Sequence, residues 1–80
     1  MKNNAHINAT LGALFGVMDT RTNVNIFRQL KDGKEELLRS NQLFRLLADD
    51  EFIRDLSIYN ARVIGLSVLF GVTSILIEEA

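Results

Sequence analysis

The chain has 80 residues, of which 48% are hydrophobic and 24% are charged, and its formal net charge is −1. This length allows one domain at most, and such a short domain usually needs disulfides, a metal or association to be stable. Cysteine is absent, which excludes disulfides and thiolate metal sites and leaves association as the expected source of additional stability. The hydrophobic content excludes a disordered tail, and the nearly neutral charge argues against nucleic acid as a partner.

The first predicted element is a helix from Ala5 to Met18. Its apolar residues recur at spacings typical of one helical face: Ile7, Leu11, Leu14, Phe15 and Met18. Gly12 and Gly16 lie four residues apart, a spacing that lets two helix backbones approach closely. No secretory signal is recognisable at the N-terminus, so we expect the chain to start in the compartment where it is made.

Two more helices are predicted in the middle of the chain. A group of apolar residues before Gly33 predicts a short second helix: Val24, Ile26, Phe27 and Leu30. Asp32 and Glu35 have the spacing of a capping pair, in which side chains and backbone amides exchange hydrogen bonds. A third, amphipathic helix is therefore expected from about Lys34 to Ala48.

A last helix is predicted from about residue 50 to residue 78. The acidic cluster Asp49, Asp50 and Glu51 favours a helix start, because the exposed amides and dipole at that end stabilise negative charge. Steps of four and three then define a heptad seam, the pattern by which helices pack side by side. Its members are Phe52, Leu56, Tyr59, Val63, Leu66, Phe70, Thr73 and Ile77.

The second half of this predicted helix, from Val63 to Ile77, contains no charged residue and no side-chain amide. A helix that is apolar on every face has to be buried, either by lipid or by other protein chains. A stripe of small and polar residues also runs along it, because Asn60, Ser67 and Ser74 recur every seven residues and Gly71 follows Ser67 by one turn. Together with Gly12 and Gly16, this stripe is the predicted helix-packing interface.

The predicted fold class is therefore all-α, with three or four helices, in a single domain over residues 1–80. Residues 1–56 would form amphipathic helices, and residues 57–77 an apolar helix that is a candidate membrane anchor. Fifteen apolar residues span only about 22 Å, so a membrane span would have to recruit Ile58 to Arg62. All nine basic residues precede Val63, which predicts a cytoplasmic N-terminal part. The alternative is a soluble cytoplasmic protein that buries the same helix in a protein interface.

The sequence contains few residue patterns that would support a catalytic site. His6 is the only histidine and has no cysteine or acidic neighbour, so neither a metal site nor an acid–base pair can be built around it. The acidic residues near position 50 lack the spacing and the turn glycine of a calcium loop, and Gly12 and Gly16 lack the lysine of a phosphate loop. We predict no enzyme activity, no cofactor, no metal and no small-molecule substrate.

The predicted function is that of a small, non-enzymatic accessory or structural subunit, held by its C-terminal helix in a membrane or a membrane-containing assembly. The alternative is a soluble, helical, homo-oligomeric adaptor, inhibitor or phage-type assembly protein. In both cases the expected partner is another protein or a second copy, contacted through helices.

Overall fold

The computed structural model describes residues 9–79, and it shows a mixed α/β fold in place of the predicted all-α fold. Four strands form one sheet, and the four helices are only four or five residues long. In chain order the elements are α1 (Leu11–Phe15), β1 (Asn23–Gln29), β2 (Glu35–Gln42), α2 (Leu43–Leu47), α3 (Asp50–Arg54), α4 (Leu56–Tyr59), β3 (Val63–Leu69) and β4 (Val72–Glu78).

The sheet consists of two hairpins joined side by side, in the order β2-β1-β4-β3. Both hairpins are antiparallel, and the two central strands, β1 and β4, run parallel in a continuous register from Asn23↔Val72 to Gln29↔Glu78. A parallel pair needs a long connection between its strands. Here that connection contains β2, the helices α2 to α4, and β3.

The apolar run from Val63 to Ile77 is not a helix but the hairpin of β3 and β4. Burial in β4 alternates from residue to residue, with Thr73, Ile75 and Ile77 buried and their neighbours partly exposed. Seven of these fifteen residues are β-branched, and such side chains favour strands over helices because their χ1 angle is restricted against the preceding helical turn. The predicted helix over residues 50–78 is therefore wrong, and its heptad spacing does not correspond to a helical face.

The second predicted helix is wrong, because its residues form β1 and the start of the turn to β2. The third is wrong over Glu35–Gln42, which form β2, and only Leu43–Leu47 near its end is helical, as α2. In β1 the polar Asn23 and Asn25 alternate with the buried Val24 and Ile26, which is the period of a strand. Asp32 does not cap a helix. Its carboxylate accepts a hydrogen bond from the Lys34 amide at 2.9 Å in the turn between the strands.

The hydrophobic core lies between one face of the sheet and the short helices. The sheet contributes Val24, Ile26, Val63, Ile75 and Ile77, and the helices with their flanks contribute Leu11, Phe15, Leu43, Leu46, Phe52, Ile58 and Ala61. Phe15 is central among the aromatic rings, with its centroid 6.2 Å from those of both Phe52 and Tyr59. These contacts hold α1 against α3 and α4.

Local hydrogen bonds start and end the helices within a few residues. Thr10 accepts from the Ala13 amide and caps α1, while Asp49 accepts from the Phe52 amide and caps α3. A helix thus begins at Asp50, as the acidic cluster predicts, but it ends at Arg54, where Asp55 caps the next helix. Such short helices depend on tertiary packing, because an isolated helix of this length does not persist in water.

Among the residues that the structure describes, no helix has the length and hydropathy needed to cross a membrane. The membrane-anchored subunit predicted from residues 57–77 is therefore a wrong interpretation, because those residues are not one helix. The predicted membrane location was inferred from that helix and loses its basis, whereas the cytoplasmic alternative stays a prediction.

Replacement of Gly12 by alanine is expected to lower the free energy of unfolding by about 1–3 kcal/mol, the usual cost of overpacking. A Cβ at Gly12 would overlap the ring of Tyr59, which packs over the start of α1. Gly16 is the matched control, since it has an ordinary helical φ of −65° and an added Cβ meets no side chain, only the carbonyl oxygens of Ala13 at 3.3 Å and Gly12 at 4.0 Å. Urea denaturation measures the free energy of unfolding of both variants. Equal losses for the two variants would contradict the role of the Tyr59 contact.

Candidate functional site

The most distinctive local geometry lies at the tip of the β3–β4 hairpin, where Phe70 and Gly71 form a two-residue turn. Their φ angles are +52° and +76°, and the last strand pair beside them is Leu69↔Val72. Positive φ at both central positions is the signature of a type I′ turn, which matches the twist of the flanking strands. Glycine adopts this conformation at little cost, whereas a bulky aromatic residue is an outlier there.

Large apolar side chains surround this turn and face solvent. Phe70 is 94% exposed, Val68 68% and Leu69 66%, and Leu66 further down β3 is 39% exposed. By their pairing with β4, Leu66 and Val68 point to the side of the helical layer and Leu69 to the opposite side. The end of the hairpin therefore projects beyond the helices and is apolar on both faces. We call these four residues the apolar tip.

Among residues 9–79, β3 is the outermost strand on its side of the sheet, so much of its backbone edge is open to solvent within that part of the chain. At its start the outer edge is covered, since the Val63 amide donates to the Ala9 carbonyl and the Leu11 amide to the Ala61 carbonyl, each at 2.9 Å. Within residues 9–79 no strand covers the rest of β3.

The register defines which backbone groups of β3 point outward. A two-residue turn makes Leu69 and Val72 a hydrogen-bonded pair, so residues 65, 67 and 69 direct their N–H and C=O groups toward β4. Leu66 and Val68 then direct theirs away from the sheet. Each of these two residues presents one donor and one acceptor at an open edge.

The two edges of the sheet differ in charge. The opposite edge strand, β2, carries Glu35, Glu36 and Arg39, and charged side chains on an edge discourage further strands from pairing with it. The open part of β3 has no charged residue. At the base of this hairpin Arg62, which directly precedes β3, and Glu78 at the end of β4 form an ion pair of 3.0 Å, so these two charges neutralise each other.

The sheet face opposite the helices is partly apolar and contains a cavity of about 470 Å³. Phe27 and Leu76 lie side by side in the register and form apolar walls of this cavity, next to Gly65, which has no side chain to fill it. Ser67 and Ser74 line the same cavity. Beside them, the Ser40 hydroxyl donates to the Asn25 side-chain oxygen at 2.6 Å.

The residues of the predicted helix-packing interface are spread over different elements. Ser67 and Ser74 are direct partners across β3 and β4, and Gly71 lies in the turn between these strands. Asn60 follows the last residue of α4, while Gly12 lies in α1 with Gly16 directly after it. The structure thus brings two of the six together. Whether any of them contacts a partner stays a prediction.

The members of the predicted heptad seam are likewise divided. Phe52 lies in α3, Leu56 and Tyr59 lie in α4, and the others lie in the hairpin or its turn: Val63, Leu66, Phe70, Thr73 and Ile77. Phe52, Val63 and Ile77 are buried in the core, whereas Leu56 is 61% exposed and Phe70 94% exposed. Two members of the seam, Leu66 and Phe70, belong to the apolar tip.

The charged side chains of residues 9–79 make contacts that support the fold. No three side chains from histidine, cysteine, aspartate and glutamate come together there in a way that could hold a metal ion. The ion pair of Arg28 with Glu36, at 2.9 Å, and the contact of the Arg39 guanidinium with the Phe52 ring, at 5.6 Å, support the fold. The predictions about His6 and Ile7 lie outside the described residues.

Comparison of the chain with protein-family models, with curated proteins and with solved structures finds no match. The function is therefore argued from the site itself. Sequence reasoning missed this site because it treated the apolar run as one element. The available signal was a glycine, Gly71, between two runs rich in β-branched residues, a pattern that favours a strand, a turn and a strand.

Replacement of Gly71 by alanine is expected to lower the free energy of unfolding by about 1–2 kcal/mol, because an L side chain is strained at a φ of +76°. The control is Gly71→Asn, which should cost less because asparagine tolerates this conformation. Nothing lies within 4 Å of a Cβ added at this position, so any loss of stability reflects the backbone conformation and not steric overlap. Thermal denaturation of the two variants measures the difference. If alanine were as stable as asparagine, the turn conformation would be wrong.

Proposed function

We propose that this protein is a small, non-enzymatic interaction module that binds another protein chain through the apolar tip of its β3–β4 hairpin. The observation that carries the proposal is Phe70, a large apolar side chain that is 94% exposed and held at a φ of +52°. The proposal shares one feature with the soluble adaptor or assembly protein predicted from the sequence, namely association with another protein. The helices that were expected to mediate that association are not part of it.

Phe70 is unfavourable for the isolated chain on two grounds. A non-glycine residue in the left-handed region costs about 1–3 kcal/mol, and a side chain that faces solvent recovers little of this by packing. Asparagine or glycine would serve the turn better. A residue that lowers the stability of the fold and contacts almost nothing within it is best explained by a contact outside the chain.

The neighbours of Phe70 favour a partner with an apolar surface. Scattered single apolar residues on a surface need no explanation, but contiguous ones are typical of interaction sites. Val68, Leu69 and Phe70 are consecutive, and all three are more than half exposed.

The charge of the hairpin favours a protein over the other macromolecules. Val63 to Ile77 contains no lysine or arginine, so the hairpin offers no attraction to the phosphates of nucleic acid or to anionic lipid. Apolar contacts combined with open main-chain groups suit a protein surface or strand.

Phe70→Asn is the test of this proposal. Because asparagine is one of the residues that tolerate positive φ, we expect the variant to have a free energy of unfolding about 1 kcal/mol higher than the parent chain. Urea denaturation at low protein concentration, where association does not contribute, measures this difference.

The matched control for this test is Phe44→Asn in α2. Phe44 is also exposed, at 44%, but it lies in a right-handed helix, where asparagine gives no advantage. We expect no gain in stability from this change. If Phe70→Asn lowered the stability instead, Phe70 would support the fold of its own chain, and the proposed function would lose its basis.

A further inference from the structure

We infer that the partner is a second copy of this chain, and that the two β3 strands pair antiparallel across a two-fold axis through Ser67. The pairing would join two four-stranded sheets into one of eight strands. This inference rests on the proposed function, since it assigns a partner to the same hairpin.

Main-chain geometry selects this register. With the axis at Ser67, Leu66 of each copy lies opposite Val68 of the other, and these are the residues whose N–H and C=O groups point outward. Each such pair exchanges two hydrogen bonds. Four bonds therefore use all eight open groups at the two edges. A shift by two residues would pair Leu66 or Val68 with itself and leave other groups unmatched.

The side chains fit the same register. Ser67 meets its own copy at the axis as a non-hydrogen-bonded pair, where the strands approach most closely and a small residue is favoured. Gly65 lies opposite Leu69 of the second copy, on the sheet face away from the helices. The 66% exposed Leu69 side chain of one copy would thus enter the cavity beside Gly65, Phe27 and Leu76 of the other.

Charge favours pairing of β3 with itself. Two copies of the open part of β3 bring no like charges together, because it has none. The other edge strand, β2, carries Glu35, Glu36 and Arg39, and charged side chains on an edge discourage strand pairing there. A contact of β3 with itself is also closed by two-fold symmetry, so it ends at a dimer and does not continue into a fibre.

The first test compares Val68→Pro with Val68→Thr in the full chain. Proline removes the outward N–H of residue 68 and keeps the β3–β4 hydrogen bonds, as is tolerated on edge strands, whereas threonine keeps the N–H and the branched shape. Two of the four bonds between the copies are lost with proline. We expect its dimer dissociation constant to rise about tenfold or more, and that of the threonine variant to stay within about threefold of the parent.

Sedimentation equilibrium over a range of protein concentrations gives these constants, and circular dichroism shows whether each variant is folded. A parent chain that stays monomeric at the highest attainable concentration would overturn the inference. So would a folded proline variant that dimerises like the parent. If the parent dimerises only after residues 1–8 are removed, the edge is occupied by its own chain and the inference is also wrong.

The second test uses single cysteines, which is clean because the chain has none. Ser67→Cys is expected to form a disulfide-linked dimer on mild oxidation, because Cα atoms of a non-hydrogen-bonded pair are about 4.5 Å apart, within the range of a disulfide. Ser74→Cys is the matched control on the neighbouring strand. Its two copies would be three strand spacings apart, about 14 Å, which is too far to bridge.

Non-reducing electrophoresis with mass spectrometry scores both cysteine variants. Equal cross-linking at positions 67 and 74, or none at 67, would overturn the register. This failure is distinct from failure of the proposed function. A stabilising Phe70→Asn change together with a monomeric parent chain would mean that the apolar tip binds a different protein.

Discussion

The parallel pairing of β1 with β4 is the contact on which the rest of this structure depends. An isolated two-stranded hairpin is marginal in water, and this pairing joins two of them into a four-stranded sheet. Its register sets Val24 beside Thr73 and Ile26 beside Ile75, which gives the sheet one continuous buried face. The short helices pack on that face and depend on it, because isolated helices of this length are not stable in water.

Placing β4 at the centre leaves β3 at the edge, and the candidate site follows from that position. β3 is as apolar as the central strand β4, but it lies at the edge of the sheet. Only its first residues are covered, by the segment around Thr10. Natural sheets usually protect such an edge with charges, as β2 does here. Within the part of the chain that the structure describes, this edge is uncharged and uncovered beyond its first residues. Next to the strained Phe70 turn it combines open backbone with apolar side chains, which are the two components of strand-mediated association.

The errors of the helical interpretation have a common physical cause. Where nearly every position is apolar, as from Val63 to Ile77, a heptad pattern and an alternating pattern both fit, so periodicity cannot distinguish helix from strand. Shorter cues were more reliable. The acidic cluster correctly predicted a helix start at Asp50. The β-branched residues on both sides of Gly71 are a cue for a hairpin, but the helical interpretation did not use them.

The sequence alone determined that Asp49 to Glu51 begin a helix, and it makes association an expected source of stability in a chain without cysteine. These properties depend on composition and local hydrogen bonds. Only the tertiary structure decided that β4 is central and β3 is at the edge, and that Leu69 and Phe70 face solvent while Ile75 and Ile77 do not. Burial of one apolar strand and exposure of its neighbour depend on pairing between residues about 50 positions apart, such as Val24 with Thr73, which no local pattern encodes.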